Sequence, residues 1–404
     1  MISVPITVIG GGVIGCAIAY QLSQELDEDI FVIEKNSSIT SENQSSRNSG
    51  VIHAGIYYPK DKKPLKAKFC VKGNEMLYDF CEKFDVPYKR TGKLVVASNQ
   101  HENEYLEDLM NTAAENNVPG VKIISGKEAK SLENNVTVTS ALYAPSSGII
   151  EATSLVRKLQ FLSEDKGVEF VTGHKVVDIE SKQGSFKIKT SSGQFKEEFE
   201  TKYLINCAGL YSDEIARMVN PKSSYVIESH RGESAKFYKS KRKNIWMTGM
   251  NVYPVPCGYY KDTGELAEVN LSEFKKLEEE NKIAKSIGVH LTPTFDFVGE
   301  KHVIGNTVTI GPIKTIDINK EDYGNNLKGK SVYLNMVRKY FPNLEESDIQ
   351  LHQTGIMAVA KNNLDYVISR DLEYPNCVNL IGIDSPGLTS SLAIAKYVKD
   401  LMDL

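Results

Sequence analysis

A glycine-rich turn near the start of the chain constrains the fold more than any other feature. Gly10, Gly12 and Gly15 have the spacing GxGxxG, follow the β-branched run of residues 6–9 and open a helical stretch. In this arrangement the first glycine permits a tight turn, the second lets the backbone approach a pyrophosphate, and the third lets helix and strand pack closely. The helix N-terminus suits phosphates, and Glu34, at the end of the next strand, can accept both ribose hydroxyls of an adenosine. The unit predicts a dinucleotide-binding βαβ fold.

Two later segments help to decide which dinucleotide is bound. Residues 203–209 read Tyr-Leu-Ile-Asn-Cys-Ala-Gly, a strand that ends in a small-residue turn expected beside the dinucleotide. Residues 381–389 predict a strand, a loop and a helix start, with Thr389 or Ser390 as the cap. A helix N-terminus aimed at the flavin pyrimidine ring stabilises the anionic reduced flavin. The three segments in this order favour FAD over NAD.

Length and composition exclude several classes of protein. A chain of 404 residues is too long for one ordinary domain, and a formal net charge of -4 argues against a nucleic-acid partner. No apolar run is long enough to span a bilayer, although peripheral membrane contact stays compatible with this composition. The six cysteines are dispersed without a CxxC pair, so neither a metal site nor a disulfide framework is indicated. The first strand is entered by Val4 without a visible presequence, so we expect a cytoplasmic or mitochondrial protein.

The order of the predicted elements indicates an α/β fold with two interleaved domains. We expect an FAD-binding Rossmann-like domain of the glutathione-reductase type and a mixed-sheet α+β substrate domain. The FAD domain is predicted from residues 1–85, 146–220 and 350–404, and it includes a β-meander over residues 168–199. The substrate domain is predicted from residues 86–145 and 221–349. Within it, the Glu- and Lys-rich segment 261–287 has a thin apolar stripe and predicts a surface helix.

A longer motif resembles a known family. Residues 46–59, Ser-Arg-Asn-Ser-Gly-Val-Ile-His-Ala-Gly-Ile-Tyr-Tyr-Pro, look like the flavin loop of L-2-hydroxyglutarate dehydrogenases and oxidases. These enzymes belong to the D-amino-acid-oxidase-like flavoprotein superfamily. The resemblance implies noncovalent FAD and oxidation of a small 2-hydroxy acid, similar to L-2-hydroxyglutarate, to a 2-oxo acid by hydride transfer to flavin N5. Further matches follow in family order at residues 231–233, 253–256, 288–292, 311–312 and 385–391.

The sequence departs from the family pattern in two places. Segment 261–287 is an insertion between two matched segments. Where the family reads GVR or GIR, with an arginine expected to clasp the substrate carboxylate, this chain has Gly355, Ile356 and Met357. A methionine cannot make the bidentate ion pair that a guanidinium makes with a carboxylate. The departure leaves two alternatives open: an amine or amino-acid oxidase of the same superfamily, and a flavin-binding protein with a degenerate substrate site.

Oxidising an alcohol requires a hydride acceptor and a base, and histidine is the usual base near neutral pH. Of the seven histidines, His53 lies in the flavin loop and His290 in the substrate sheet, and the sequence does not decide which is the base. Arg231 is the expected ligand of the substrate carboxylate, and Tyr57, with Tyr58, is expected to cover the pocket. The electron acceptor stays open between oxygen, a quinone and an electron-transfer protein.

The motifs and the resemblance together define a predicted cofactor site. The residues expected to contact FAD are Gly10, Gly12, Val13, Ile14, Gly15, Glu34, Lys35, Ser45, Ser46, Arg47, Asn48, Ser49, Gly50, Val51, Val176, Val177, Cys207, Ala208, Gly209, Gly355, Ile356, Met357, Ser385, Pro386, Gly387, Leu388, Thr389 and Ser390.

Overall fold

The computed structural model describes residues 2–267, 269–299 and 301–402. The outer ends of the two terminal FAD-domain segments, Met1 and residues 403–404, lie outside the described residues, as does Glu268 of the predicted insertion. The helices are α1 (Val13–Glu25), α2 (Pro64–Phe84), α3 (Glu102–Glu115), α4 (Gly126–Leu132), α5 (Ala152–Glu164), α6 (Ser212–Val219), α7 (Leu271–Glu279), α8 (Lys330–Val337) and α9 (Gly387–Met402).

The strands fall into two large sheets and two small ones. In chain order they are β1 (Ile2–Ile9), β2 (Ile30–Glu34), β3 (Val51–Ile52), β4 (Tyr88–Lys89), β5 (Lys93–Ala97), β6 (Lys122–Ser125), β7 (Ser140–Ala144), β8 (Gly148–Ile150), β9 (Glu169–Thr172), β10 (Lys175–Lys182), β11 (Ser185–Ser192), β12 (Phe195–Asn206), β13 (Ile227–Tyr238), β14 (Asn251–Pro254), β15 (Cys257–Tyr260), β16 (Leu266–Ala267), β17 (Ile283–Ser286), β18 (His290–Val298), β19 (Lys301–Thr315), β20 (Gln350–Ala360), β21 (Val367–Arg370) and β22 (Cys377–Ile381).

The first large sheet is the predicted dinucleotide-binding sheet. Its parallel strands run in the order β9-β2-β1-β12-β22, and β10 and β11 extend it as an antiparallel pair beside β12. Strands β1 and β2 are apolar and buried, as expected of parallel strands covered on both faces. The predicted meander needs one correction. Its first segment is β9, which pairs with β2 at the far edge because the chain crosses over the sheet before the meander begins.

Helices cover the dinucleotide-binding sheet and carry its main core. α1 packs against α5 and α9, and buried Ile18, Leu22, Leu159 and Ile394 belong to one apolar cluster. α2 and α9 approach closely at Gly73, where an added Cβ would lie 2.3 Å from the carbonyl oxygen of Thr389. None of the described helices combines the length and the apolar character needed to cross a membrane.

The second large sheet forms the substrate domain, with strand order β20-β13-β19-β18-β14-β5-β7-β6. One face packs on α8 through an apolar cluster that includes Leu94, Val252 and Leu291. Successive side chains in a strand point to opposite faces, so the neighbouring residues Lys93 and Tyr253 lie on the other face. The predicted domain boundary at residue 350 is wrong for β20. This strand pairs with β13 over nearly its whole length and therefore belongs to the substrate sheet.

The charged insertion is not the single surface helix predicted for residues 261–287. Only α7 is helical, and β15, β16 and β17 form a small three-stranded sheet beside it. The apolar stripe is buried: Phe274 and Leu277 are 2% and 6% exposed, and Phe274 makes an edge contact with Tyr105 of α3. The segment is therefore a folded part of the substrate domain, since its apolar stripe packs on the domain.

Candidate active site

The glycine-rich turn has the close approaches that its sequence predicts. Gly10 has a φ of 107°, and a Cβ there would lie 2.4 Å from the carbonyl oxygen of Cys207. A Cβ on Gly15 would lie 1.9 Å from the Gly10 carbonyl oxygen, so only glycine lets α1 start this close to β1. The structure thus brings the turn of Cys207, Ala208 and Gly209 directly beside the glycine-rich turn, as predicted.

Glu34 and the start of α1 fit a dinucleotide. The Glu34 carboxylate is 5% exposed and accepts hydrogen bonds from the backbone N–H of Gly11 and of Asn36, both at 2.9 Å. Each oxygen keeps a lone pair for a ribose hydroxyl. At the helix start, Gly12 provides no side-chain cap and the first turn has no acidic residue. The N–H groups of the first turn other than that of Val13, which donates to Ser45, suit the pyrophosphate of FAD.

The predicted flavin loop closes over this helix end. Ser45 Oγ accepts a hydrogen bond from Val13 N at 2.8 Å, which places its hydroxyl at the start of α1. Asn48 Oδ1 accepts from Gly50 N at 2.6 Å, and Gly50 has a φ of 63°. These local bonds fix the loop before it enters β3 at Val51.

The edge strand of the substrate sheet contacts the same loop. The backbone N–H of Ile356 donates to Gln44 Oε1 at 2.6 Å, and Arg47 Nη1 donates to the Thr354 carbonyl at 3.2 Å. A Cβ at Gly355 would lie 2.9 Å from the Arg47 carbonyl oxygen. The structure therefore places the GIM segment, which was predicted to contact FAD, against the flavin loop, although the strand belongs to the other sheet.

The loop before α9 meets the flavin loop at His53. Ser385 Oγ lies 3.3 Å from His53 Nε2, and Thr389 Oγ1 accepts a hydrogen bond from the backbone N–H of His53 at 3.0 Å. Thr389 was predicted to cap α9, but the helix begins at Gly387 and the hydroxyl binds His53 instead. The hydroxyl of Ser390 is buried without a hydrogen-bond partner among the described residues. The start of α9 is thus joined to the flavin loop.

The other residues predicted to contact FAD differ in burial and in the contacts that they make. Lys35 Nζ lies 3.8 Å from the centre of the Tyr211 ring. Val176 is buried near the end of β2, whereas Val177 is 41% exposed because alternation turns it to the other face of β10. The remaining members are Ile14, Ser46, Ser49, Met357, Pro386 and Leu388, and the role of every residue of the set toward FAD stays a prediction.

The two candidate histidines converge on an unforeseen lysine. Lys93 is fully buried, and its Nζ lies 3.5 Å from His53 Nδ1 and 3.9 Å from the centre of the Tyr253 ring. The Tyr253 ring stacks on His290 with 3.9 Å between centroids and 10° between planes. His290 Nδ1 in turn lies 2.9 Å from Thr292 Oγ1. The predicted cover residue Tyr57 lies edge-on to His53, and its hydroxyl has no hydrogen-bond partner in the described part of the chain.

Burial sets the charges of this cluster. It lowers the pKa of His53 and His290 well below the usual histidine value, and neighbouring Lys93 lowers both further. Both imidazoles are therefore neutral near pH 7 and able to accept a proton. Burial also lowers the pKa of Lys93 from 10.5 to about 7. Burial raises the pKa of Tyr57 well above 10, so its phenol stays neutral. Lys93 is then the residue of the cluster that can carry positive charge.

Arg231 does not join this cluster. Its guanidinium is 2% exposed and contacts Glu233 Oε1 at 3.0 Å, Asp322 Oδ1 at 3.0 Å and the Asn325 carbonyl at 2.6 Å. In the β13–β20 register its partner is Ile356, so Met357 points to the opposite face of the sheet. The structure argues against Arg231 as the substrate ligand, because internal acceptors already use its donors.

Sequence reasoning missed Lys93, although a signal was present. It opens the run Lys-Leu-Val-Val-Ala, which predicts a buried strand, and a lysine in a buried strand is rarely left without a special environment. The signal becomes specific only with the fold, which places Lys93 beside Tyr253 on the parallel neighbour β14.

Comparisons with known proteins identify the family. The family described as FAD dependent oxidoreductase (DAO) matches residues 5–401. The chain is 30% identical to a mitochondrial L-2-hydroxyglutarate dehydrogenase of Arabidopsis thaliana, with 97% of this chain and 82% of the relative covered. It is 31% identical to a glycerol 3-phosphate dehydrogenase of Caloramator mitchellensis, with 98% and 73% covered.

A solved structure supports the same fold. The FAD-bound, dithionite-reduced L-alpha-glycerophosphate oxidase of Mycoplasma pneumoniae superposes with a TM-score of 0.82 at 23% identity, covering 100% of this chain and 96% of that one. The family match and this fold confirm the predicted fold class and the predicted cofactor, FAD. The chain belongs to the DAO family of FAD-dependent oxidoreductases.

Proposed function

We propose that this enzyme oxidises the hydroxyl group of a small 2-hydroxy acid, similar to L-2-hydroxyglutarate, to a 2-oxo acid. The observation that carries the proposal is the buried cluster in which His53, His290 and Lys93 meet beside the start of α9. Two neutral imidazoles and one buried amine supply a base and a cation for an alcohol that carries a carboxylate. Relatives named L-2-hydroxyglutarate dehydrogenase, at 26–30% identity, support this substrate class.

His290 is the residue that we assign as the base. Its Nδ1 is held by Thr292 and its ring by Tyr253, whereas Nε2 makes no hydrogen bond to any described residue. His53 has a neighbour at each ring nitrogen, Lys93 at Nδ1 and Ser385 at Nε2. His290 therefore takes the hydroxyl proton at Nε2, and His53 orients the Lys93 amine. FAD, when bound, accepts the hydride from the carbon.

Lys93 takes the role that was first given to Arg231. A buried carboxylate needs a charged or hydrogen-bonding partner. The Lys93 amine shares the buried cluster with His290, and the unpartnered hydroxyl of Tyr57 lies in the same cluster. We assign these two groups to the carboxylate next to the reacting carbon. An intact cluster of this kind also disfavours the alternative of a flavin-binding protein with a degenerate site.

Glycerol 3-phosphate is a second candidate substrate, because it also carries a secondary hydroxyl beside an anionic group. A lysine-rich cluster next to the site favours it, since ammonium groups are established phosphate ligands. The relative from Caloramator mitchellensis carries that name. For the amine or amino-acid oxidase alternative, the solved glycine oxidases at 16–17% identity show only that the fold is shared.

An anaerobic titration separates these candidates. The purified holoenzyme is mixed with L-2-hydroxyglutarate, its D enantiomer, glycerol 3-phosphate, glycine and L-proline, and loss of flavin absorbance is followed. We expect bleaching by L-2-hydroxyglutarate at millimolar concentration or below and none by the amino acids. Bleaching by amino acids alone would refute the proposal, and bleaching by glycerol 3-phosphate alone would select the second candidate.

A further inference from the structure

A second group of charged side chains adjoins the candidate active site. Lys66, near the start of α2, makes an ion pair with Asp384 at 2.6 Å, and both side chains are largely buried. Asp384 directly precedes Ser385, whose hydroxyl lies 3.3 Å from His53 Nε2. Two consecutive residues thus join this group to the histidine cluster. The two sets of side chains are therefore direct neighbours.

Lys314 approaches the same carboxylate from the substrate sheet. It pairs with Gly232 in the β13–β19 register and follows Ile313, which packs into the apolar core on the other face. Its Nζ donates a hydrogen bond to the Lys285 carbonyl at 3.2 Å. Burial lowers its pKa to about 8, while nearby Asp384 acts in the opposite direction. Lys314 is therefore a cation held close to Lys66, with one backbone acceptor and no carboxylate bonded to it among the described residues.

The insertion closes the cluster on its outer side. Glu278 of α7 lies 3.5 Å from Lys63 Nζ and 3.3 Å from Lys285 Nζ, so its two oxygens serve two lysines. The carboxylates of Glu278 and Asp384 thus face four ammonium groups, those of Lys63, Lys66, Lys285 and Lys314. Partly buried positive charge in excess of its counter-charge is unfavourable, and a bound anion relieves it.

We propose that Lys66 and Lys314 bind a second anionic group of the substrate, at the end opposite to the reacting carbon. The inference rests on the proposed function and deepens it. Two classes of substrate fit this arrangement. One is a 2-hydroxy dicarboxylate with one carboxylate at Lys93 and the other at Lys314, and the other is a hydroxyalkyl phosphate whose only anionic group lies at this second position. The protein has methionine at position 357 in place of the family's arginine. With this second site, lysines from α2 and β19 supply the positive charge that an anionic substrate needs.

Binding of inert analogues tests the site without turnover. Glutarate and pentanoate have the same chain length and differ in one carboxylate, and their dissociation constants are measured from the flavin spectrum of the oxidised holoenzyme. We expect glutarate to bind at least tenfold more tightly than pentanoate. In Lys314→Met this preference should fall to about one, in Lys314→Arg it should persist, and in the control Lys301→Met, an exposed position on the same strand, it should be unchanged.

Turnover then identifies the anion. The ratio of kcat/KM for L-2-hydroxyglutarate over L-2-hydroxypentanoate, and for glycerol 3-phosphate over glycerol, is compared between wild type and Lys314→Met. If Lys314→Met abolishes the preference for L-2-hydroxyglutarate over L-2-hydroxypentanoate, the site binds a carboxylate. If it abolishes the preference for glycerol 3-phosphate over glycerol, the site binds a phosphate. Equal binding of glutarate and pentanoate to the wild type, or a preference that survives in Lys314→Met, overturns the inference. If no 2-hydroxy acid is oxidised, the proposed function fails, but the analogue titration still tests the anion site.

Discussion

Replacing Lys93 by methionine should stabilise the protein and impair substrate binding. Lys93 is completely buried, and its amine has a histidine at 3.5 Å and aromatic rings around it, but no carboxylate from the part of the chain that the structure describes. Methionine has a similar length and no charge, so it fills the same volume without a desolvated amine. The groups that face Lys93 are His53, His290, Tyr57, Tyr253 and Cys70.

The size of the gain follows from the lowered pKa. The folded protein holds the Lys93 proton only up to about pH 7, whereas the unfolded chain holds it up to 10.5. Between these values the unfolded state binds more protons, so the stability of the wild type rises with pH in this window. The buried amine therefore destabilises the fold by about 4 kcal/mol at pH 7 and by about 2 kcal/mol at pH 9.

Thermal denaturation at the two pH values measures this difference. An unfolding entropy of about 2.1 cal/mol/K per residue gives about 0.85 kcal/mol/K for the chain, so Lys93→Met should raise Tm by about 5 °C at pH 7 and about 2 °C at pH 9. Lys122→Met, at an exposed position on β6, is the control and should leave Tm unchanged at both values. A lower Tm in Lys93→Met, or a gain that does not shrink as the pH rises, would refute the reasoning.

Three further substitutions test the site. Glu34→Ala should weaken FAD binding at least tenfold, since a charge-assisted hydrogen bond contributes roughly 1.5–3 kcal/mol. The FAD dissociation constant is measured from FAD fluorescence on dilution, with Glu34→Gln as the control. An unchanged FAD affinity in Glu34→Ala would place the ribose elsewhere. His290→Asn should lower kcat by a factor of roughly 10²–10⁴ at constant FAD content. The loss of kcat should be larger than in His53→Asn. A larger loss of kcat in His53→Asn would make His53 the base. Arg231→Met should lower the free energy of unfolding by roughly 3–5 kcal/mol in urea titrations, because it leaves the buried Glu233 carboxylate without its ion-pair partner. It should leave KM unchanged. A raised KM at unchanged stability would return Arg231 to the substrate.

The dinucleotide-binding unit was predictable because its signals are local. A Cβ at Gly15 would collide with the backbone of Gly10, and a Cβ at Gly10 would collide with the backbone at the end of the neighbouring strand. These close approaches occur in any chain that builds this turn. The long helices α2 and α9 were equally readable, since an amphipathic pattern over four or more turns has few alternatives. The short strands of the insertion carried no comparable pattern, and the high charge of the segment favoured a surface position for an apolar stripe whose Phe274 and Leu277 are buried.

The charged residues of the site could not be assigned in this way, because charge in a cleft depends on pairing across the fold. Arg231 looked available in the sequence, but Asp322 and Asn325, about ninety residues later, return to occupy it. Nothing in the sequence around Lys314 shows that the insertion and α2 surround it with other lysines. The absence of arginine at Met357 therefore does not mean that the cleft lost its positive charge. The positive charge lies on residues that only the folded chain brings together, and an anionic substrate remains the expectation.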